Sequence, residues 1–109
     1  HVNWFRKDGN GKFFWPGFGE NLRVLAWIVG RCRGEAGGRP SALGIMPGYH
    51  DLPWEGLDYP AQRFGALMSE DSATLAEQVH SNQEFFDHLG RKFPAELEAE
   101  EAKTLAVLG

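Results

Sequence analysis

Residues 4–21 read WFRKDGNGKFFWPGFGEN, and this stretch is the most informative part of the chain. It holds six aromatic residues, four glycines and three cations, and an apolar stretch with helical spacing follows it. Aromatic faces provide stacking surface, glycines let backbone amides approach a ligand, and a helix start presents unpaired N–H groups to anions. The combination predicts a site for a flat, charged ligand such as a nucleotide.

The same stretch predicts a β-hairpin followed by a helix. We expect strands at residues 3–5 and 12–15, because the Asp-Gly and Asn-Gly pairs at residues 8–11 favour the positive φ angles of hairpin turns. Pro16-Gly17 ends the second strand. The spacing of the apolar residues after Gly19 predicts a helix buried on most sides. Its apolar positions include Leu22, Leu25, Ile28, Val29 and Cys32.

The rest of the chain divides into a connecting region and a helical tail. Within residues 34–58 we expect a flexible connection over 34–40, a short buried strand over 42–46, and an irregular stretch in which Trp54 is a packing anchor. Residues 59–109 are predicted to be helical. Pro60 opens a short helix, Ser69 is the expected N-cap of a longer helix that Gly90 ends, and Pro94 begins the last helix.

Size and composition indicate a small globular unit. The chain has 109 residues, of which 42% are hydrophobic and 13% aromatic, and this suffices for a modest core. It begins with His1 and not Met, so we interpret it as a segment of a larger protein. No apolar run approaches the ~20 residues needed to span a bilayer, and no secretory leader is visible.

Charge and cysteine content narrow the function classes. Residues 1–40 carry a net charge of +4 and residues 41–109 a net charge of −8. A basic first part suits an anionic ligand, whereas the acidic remainder, which we interpret as solvated helix faces, argues against nucleic acid wrapped along the surface. Cys32 is the single cysteine, and its apolar neighbours predict a buried thiol in a reducing, cytoplasmic compartment.

Phe18 and Asn21 are the strongest candidates for ligand contact. The Gly9 and Gly11 region lacks the spacing of a Walker A loop, and Gly17-Phe18-Gly19 does not continue to a dinucleotide-binding fingerprint. Flanking glycines leave the Phe18 ring free to project into a cleft. Asn21 can donate and accept hydrogen bonds at a base edge, although an N-cap role suits its position equally well.

Two further groups are weaker candidates. Lys7 and Lys12 lie at the predicted hairpin tip, where attraction of phosphates competes with ordinary solvation of a turn. His80, Glu84 and His88 are spaced by four residues on a predicted helix, a pattern that fits a metal stripe but also arises often on solvated faces. We do not favour a metal site in this chain.

The residues from Trp4 to Arg6, together with the string from Gly11 to Asn21 and Arg23-Val24-Leu25, resemble the guanine-nucleotide segment of GTP-dependent phosphoenolpyruvate carboxykinase. The resemblance is close over residues 1–33 and looser over the remainder. It implies an α/β parent enzyme in which this segment is mostly helical with one hairpin and a short strand. It also implies that guanine lies among Phe5, Phe13 and Phe18, with Gly19, Glu20 and Asn21 completing the nucleotide-contacting set.

By the same resemblance, the parent converts oxaloacetate and GTP to phosphoenolpyruvate, GDP and CO2, as in gluconeogenesis. Mn2+ with Mg2+ would be bound by ligands upstream of this segment, and so would the substrate oxaloacetate. The segment alone is then expected to be inactive, and the parent to be monomeric and cytoplasmic, with no nucleic-acid or membrane partner. The alternative that we keep is a non-catalytic aromatic module that binds single-stranded nucleic acid or carbohydrate.

Overall fold

A computed structural model describes residues 2–69 and 71–109, so the expectations that involve His1 and Glu70 lie outside the described residues. The described residues are mostly helical, as the sequence predicts, and they include one two-stranded hairpin, which lies outside the predicted residues 3–15. The elements are α1 (Asn21–Arg33), β1 (Arg39–Ser41), β2 (Gly44–Met46), α2 (Ala61–Leu67), α3 (Ser72–Leu89) and α4 (Ala95–Leu108), with short 3-10 turns at Phe18–Glu20, Tyr49–Asp51 and Gly90–Lys92. The chain divides into two compact units, His1–Ser69 and Glu70–Gly109.

The chain reverses at residues 8–11 as predicted, but the predicted strands at 3–5 and 12–15 are wrong. Only one antiparallel bridge forms in this loop, between Lys7 and Phe13. The Asp8 side chain accepts the backbone N–H groups of Asn10 (2.9 Å) and Lys12 (3.0 Å). Because a short polar side chain satisfies the donors of the turn, the loop is held without an extended ladder.

The regular hairpin lies later in the chain. β1 and β2 are antiparallel, with Pro40 opposite Ile45. The predicted connection over 34–40 is therefore wrong for its last two residues, which belong to β1. The strand predicted over 42–46 is found at Gly44–Met46, but it is not buried, since Ile45 is 49% exposed.

Glycine at position 38 lets this hairpin pack closely. A Cβ at Gly38 would lie 2.6 Å from Cγ2 of Ile45 and 3.3 Å from the Trp27 ring. The Trp27 indole N–H donates to the Gly37 carbonyl at 2.8 Å, which connects the hairpin to α1. No larger residue fits at position 38 without a shift of these neighbours.

Helix α1 has the predicted extent but not the predicted burial. It ends at Gly34, which has a left-handed φ of 73°, and Arg31 and Arg33 lie in its last turn, as expected for the negative end of the dipole. Leu22, Leu25, Ile28 and Val29 are all exposed, and so is Cys32. These exposures contradict the prediction of a buried helix and a buried thiol.

The core of the first unit is aromatic. Leu52, Tyr59 and Phe64 are its buried centre. The Trp54 ring stacks on Tyr49 and on Tyr59, with centroids 5.1 Å apart in both pairs, which confirms Trp54 as a packing anchor. Helix α2 supplies Phe64 and begins after Pro60, as predicted.

The second unit consists of α3 and α4. Helix α3 has Asp71 as its N-cap, so the predicted N-cap at Ser69 is wrong by two residues, whereas its end at Gly90 is as expected. The Ser69 hydroxyl donates to the Ala66 carbonyl at 2.8 Å. The Phe86 and Phe93 rings stack with centroids 4.2 Å apart and hold the turn between the helices.

Candidate functional site

Two of the three predicted phenylalanines lie together on the surface of the first unit. Phe5 is 74% exposed and Phe13 is 47% exposed, and their ring centroids are 6.1 Å apart in an edge-to-face arrangement. The Lys7 ammonium lies 5.2 Å from the Phe13 ring centroid. The single bridge of the loop brings these rings together, because Phe13 pairs with a residue two positions after Phe5.

Phe18 projects from the start of α1 and is 90% exposed. It follows Gly17, whose φ of 134° is in a region that L side chains rarely adopt. Among the described residues its ring contacts neither Phe5 nor Phe13. An exposed ring on a 3-10 turn is a stacking surface that no core residue of this chain uses.

The backbone around Phe18 is partly committed to the turn. The Glu20 N–H donates to the Gly17 carbonyl at 3.1 Å, and the Asn21 N–H donates to Phe18. A Cβ placed at Gly19 would meet nothing within 4 Å. Gly19 therefore leaves open space beside the Phe18 backbone, as close approach of a ligand requires.

Asn21 is the first residue of α1 and not its N-cap, which is Glu20. The N-cap alternative for Asn21 is therefore wrong. Its side-chain oxygen instead accepts a hydrogen bond from the Trp15 indole N–H at 2.8 Å. Trp15 is 5% exposed, so this partner is part of the core.

Arg23 connects the start of α1 to the segment before α2, and the sequence analysis missed this role. Its Nε lies 2.5 Å from Oε2 of Glu20, and its terminal nitrogens donate to the carbonyls of Pro53 (2.6 Å) and Glu55 (2.9 Å). The carboxylate of Glu20 is thus paired within the chain. The i, i+3 spacing of Glu20 and Arg23 is the sequence feature from which this ion pair could have been predicted.

Two arginines fasten the loop that carries Phe5 and Phe13. Arg6 donates to the carbonyls of Leu67 (2.6 Å) and Ser69 (2.9 Å), and Arg63 donates to the carbonyl of Phe13 (2.9 Å). The guanidinium carbon of Arg6 lies 5.8 Å from the centroid of the Phe14 ring, and that of Arg63 lies 5.2 Å from it. Sequence reasoning could not pair hydrogen-bond partners that lie fifty or more positions apart.

Asp8 and Tyr59 complete the attachment of the loop. The N–H of Lys12 holds the pKa of Asp8 below its usual value, with help from the Asn10 N–H and from Arg63, 3.4 Å away. The Tyr59 hydroxyl donates to the Phe14 carbonyl at 2.6 Å, and burial raises the pKa of this phenol.

The described residues, 2–69 and 71–109, contain no group of three or more His, Cys, Asp or Glu side chains that is arranged to hold a metal ion. His80, Glu84 and His88 are exposed on α3 and form no such group. None of the helices in these residues is long and apolar enough to cross a bilayer.

Comparison with known proteins gives consistent matches over nearly the whole chain. Residues 1–106 match the family model described as the phosphoenolpyruvate carboxykinase C-terminal P-loop domain. A protein of Anaeromyxobacter dehalogenans named phosphoenolpyruvate carboxykinase (GTP) is 41% identical over 96 residues, which are 88% of this chain and 16% of that protein. The protein of that name from Neocallimastix frontalis is 38% identical over an alignment of 113 positions, which covers 99% of this chain and 18% of that protein. The chain thus spans less than a fifth of the length of either relative.

Proposed function

The chain belongs to the family of GTP-dependent phosphoenolpyruvate carboxykinases, and from that premise we propose that it is the guanine-recognising segment of a longer enzyme. That enzyme would convert oxaloacetate and GTP to phosphoenolpyruvate, GDP and CO2. The single observation that carries the proposal for this segment is the exposure of Phe5, Phe13 and Phe18, of which Phe5 and Phe13 are neighbours and Phe18 begins the turn before α1. Exposed aromatic rings offer faces on which a base can stack.

The three rings account for affinity. Stacking of a base on one aromatic ring contributes about 1–3 kcal/mol, so two or three rings supply much of a micromolar affinity. The rings need not touch each other before the ligand arrives, because a purine has two faces. Phe5 and Phe13 form one part of the surface, and Phe18 forms another.

Asn21 supplies the choice of base in this proposal. Stacking alone does not distinguish guanine from adenine, because every base has an aromatic face. Among the described residues, Trp15 is the side-chain hydrogen-bond partner of Asn21, and its indole N–H donates to the oxygen of the Asn21 amide. The amide nitrogen therefore offers a donor to the base edge, which suits the O6 acceptor of guanine.

The remaining chemistry lies outside this segment. In the proposed reaction the carbon–carbon bond to the departing CO2 breaks, its electron pair forms an enolate, and the enolate oxygen takes the γ-phosphoryl group as GDP leaves. Divalent Mn2+ and Mg2+, where bound, stabilise the charge on these oxygens. In this proposal the metal ligands and the oxaloacetate site belong to the rest of the enzyme. The isolated segment is then inactive.

The alternative is a non-catalytic module that binds single-stranded nucleic acid or carbohydrate. It accounts for the exposed rings equally well, but it gives no reason for an oriented carboxamide beside them. The family match favours the enzyme. A cytoplasmic, monomeric parent without nucleic-acid or membrane partners remains part of our proposal.

The proposal is tested with the full-length protein that contains this segment. We expect oxaloacetate-dependent formation of phosphoenolpyruvate with GTP, and weaker activity with ATP. Equilibrium titrations with GDP, ADP and a short single-stranded oligonucleotide should give the tightest binding for GDP. Tighter binding of the oligonucleotide, or equal use of ATP and GTP, would contradict the proposal.

A further inference from the structure

We propose that Trp15 is a positioning residue that makes the nucleotide site selective for guanine by fixing the orientation of the Asn21 carboxamide. This inference rests on the proposed function, since it concerns how that site distinguishes purines. Trp15 was not among the residues that the sequence pointed to as site residues.

An indole N–H donates a hydrogen bond and cannot accept one. The Trp15 nitrogen lies 2.8 Å from the Asn21 side chain, so the atom it meets must be the oxygen of that carboxamide. The assignment of oxygen and nitrogen in the Asn21 amide is thereby determined by its partner. A reversed amide would place two donors against each other and lose the bond.

Trp15 is itself held firmly in the core of the first unit. It is 5% exposed, and its ring lies 5.7 Å from Trp4, 6.4 Å from Trp54 and 6.3 Å from Tyr59 between centroids. Rotation of the indole would require these aromatic neighbours to repack. The donor is therefore fixed in place before any ligand arrives.

The other end of the Asn21 amide is available to a ligand. Among residues 2–69 and 71–109, Trp15 is the recorded side-chain partner of Asn21, and the Asn21 nitrogen is not among the buried polar atoms that lack a partner. The nitrogen is therefore both unpaired and reachable by solvent. Phe18, whose ring is exposed, and Gly19, which has open space at its Cβ position, lie three and two residues before Asn21.

This orientation discriminates between purines by their group at position 6. Guanine has an acceptor oxygen there, to which the Asn21 nitrogen can donate, whereas adenine has an amino group that donates. Against adenine the fixed amide meets a second donor, and both groups lose their hydrogen bonds on burial. If the amide could rotate freely, its oxygen would turn outward and accept from adenine.

The decisive variant is Trp15→Phe in the full-length protein, because it keeps an aromatic ring and removes the N–H. The measured quantity is the ratio of the ADP and GDP dissociation constants. We expect this ratio to fall about tenfold, which corresponds to the loss of one oriented hydrogen bond. GDP should bind more weakly, and ADP should bind as well as before or better.

The chain offers a matched control. Trp27 packs against the same core, and its indole N–H donates at the same distance of 2.8 Å, but to the backbone carbonyl of Gly37. Its ring is not one of the three that hold Trp15, so Trp27→Phe makes the same chemical change without loosening Trp15 or Asn21. It should leave the ratio for the two nucleotides unchanged even if it lowers the melting temperature.

A double variant separates orientation from general stability. In an Asn21→Ala background there is no amide to orient, so adding Trp15→Phe should change the ratio no further. If Trp15→Phe does not fold, incorporation of benzothienylalanine at position 15 replaces the N–H by sulfur within a ring of nearly the same size, with the same expected loss of selectivity.

Three outcomes decide the matter. A full-length protein that binds neither GDP nor ADP defeats the proposed function itself. Preference for GDP that survives both replacements at position 15 leaves the proposed function standing and overturns the role of Trp15. Equal weakening of GDP and ADP by Trp15→Phe, with no such effect from Trp27→Phe, also overturns it. Such a result would show that Trp15 supports the stacking surface and does not set the choice of base.

Discussion

The Tyr59 hydroxyl lies 2.6 Å from the carbonyl oxygen of Phe14, and this bond joins the aromatic core to the loop that carries the two neighbouring exposed rings. Tyr59 is 5% exposed and its ring stacks on Trp54. Phe13, one residue before the acceptor, is half exposed. The core side chain of Tyr59 therefore positions the backbone next to Phe13, which is a candidate ligand contact.

Replacing Tyr59 by phenylalanine should loosen this loop while the core stays packed. The variant leaves the partly buried Phe14 carbonyl without this donor, and a net hydrogen bond of this kind contributes about 0.5–1.5 kcal/mol. We expect a lower melting temperature of the full-length protein and weaker GDP binding, measured by calorimetry. An unchanged affinity for GDP would show that the loop is held without this bond.

The same phenol predicts a stability loss at alkaline pH. Because burial raises its pKa in the fold, its contribution is complete below the unfolded value near pH 10 and is lost as the pH rises through the higher folded value. The free energies of unfolding of wild type and Tyr59→Phe, measured by denaturant titration, should therefore converge as the pH rises above 10. A difference in unfolding free energy that stays constant as the pH rises would assign the alkaline loss of stability to other groups.

Phe18→Ala should weaken binding of all purine nucleotides alike. The side chain is 90% exposed, so its loss does not disturb the core, and the expected cost is about 1–3 kcal/mol of stacking. GDP and ADP titrations should shift by the same factor, with the melting temperature unchanged. The variant Val107→Ala, which removes a side chain that is 68% exposed on α4, is the matched control and should change neither affinity.

Gly17 and Gly19 should respond differently to alanine. Gly17 has a φ of 134°, so Gly17→Ala strains the backbone and should lower the melting temperature. Gly19 has no such φ and open space at its Cβ, so Gly19→Ala should fold normally. If a nucleotide approaches here, Gly19→Ala weakens GDP binding without a stability loss. Normal binding by a stably folded Gly19→Ala protein would place the ligand elsewhere.

Asp8→Asn should mimic acidification. The pKa of Asp8 is lowered in the fold, so its contribution is complete above the unfolded value near pH 4 and is lost as the pH falls through the folded value. The variant should have a lower melting temperature than wild type at neutral pH, and the difference should shrink in strong acid. A difference that does not change with pH would mean that the carboxylate charge is irrelevant to the loop.

Local signals in the sequence predicted the helices well and the strands poorly. Pro60, Gly90 and Pro94 set helix boundaries through their own backbone restrictions, which need no tertiary partner. The strands depended on what else could satisfy the backbone. Around Asp8 a side chain did so, and the ladder formed instead where Gly38 lets Ile45 approach.

The candidate site was predictable as a set of residues but not as an arrangement. Phe18 stood out because glycines flank it, whereas Phe5 and Phe13 were named through the family resemblance. The contacts that position them did not stand out, since Arg63 meets Phe13 and Trp15 meets Asn21 only after the chain has folded. Of these, Trp15 to Asn21 is a local pair, yet nothing in the sequence indicates which way the amide points.

The uncovered apolar side of α1 has a practical consequence for anyone who produces this segment by itself. This side of the helix exposes four large apolar side chains to water, those of Leu22, Leu25, Ile28 and Val29. When two molecules meet, such apolar surfaces can bury each other. A preparation of the lone segment should accordingly self-associate as its concentration rises. Nucleotide affinities measured on it would then report the clustered species, and the intact enzyme is the proper material for quantitative work.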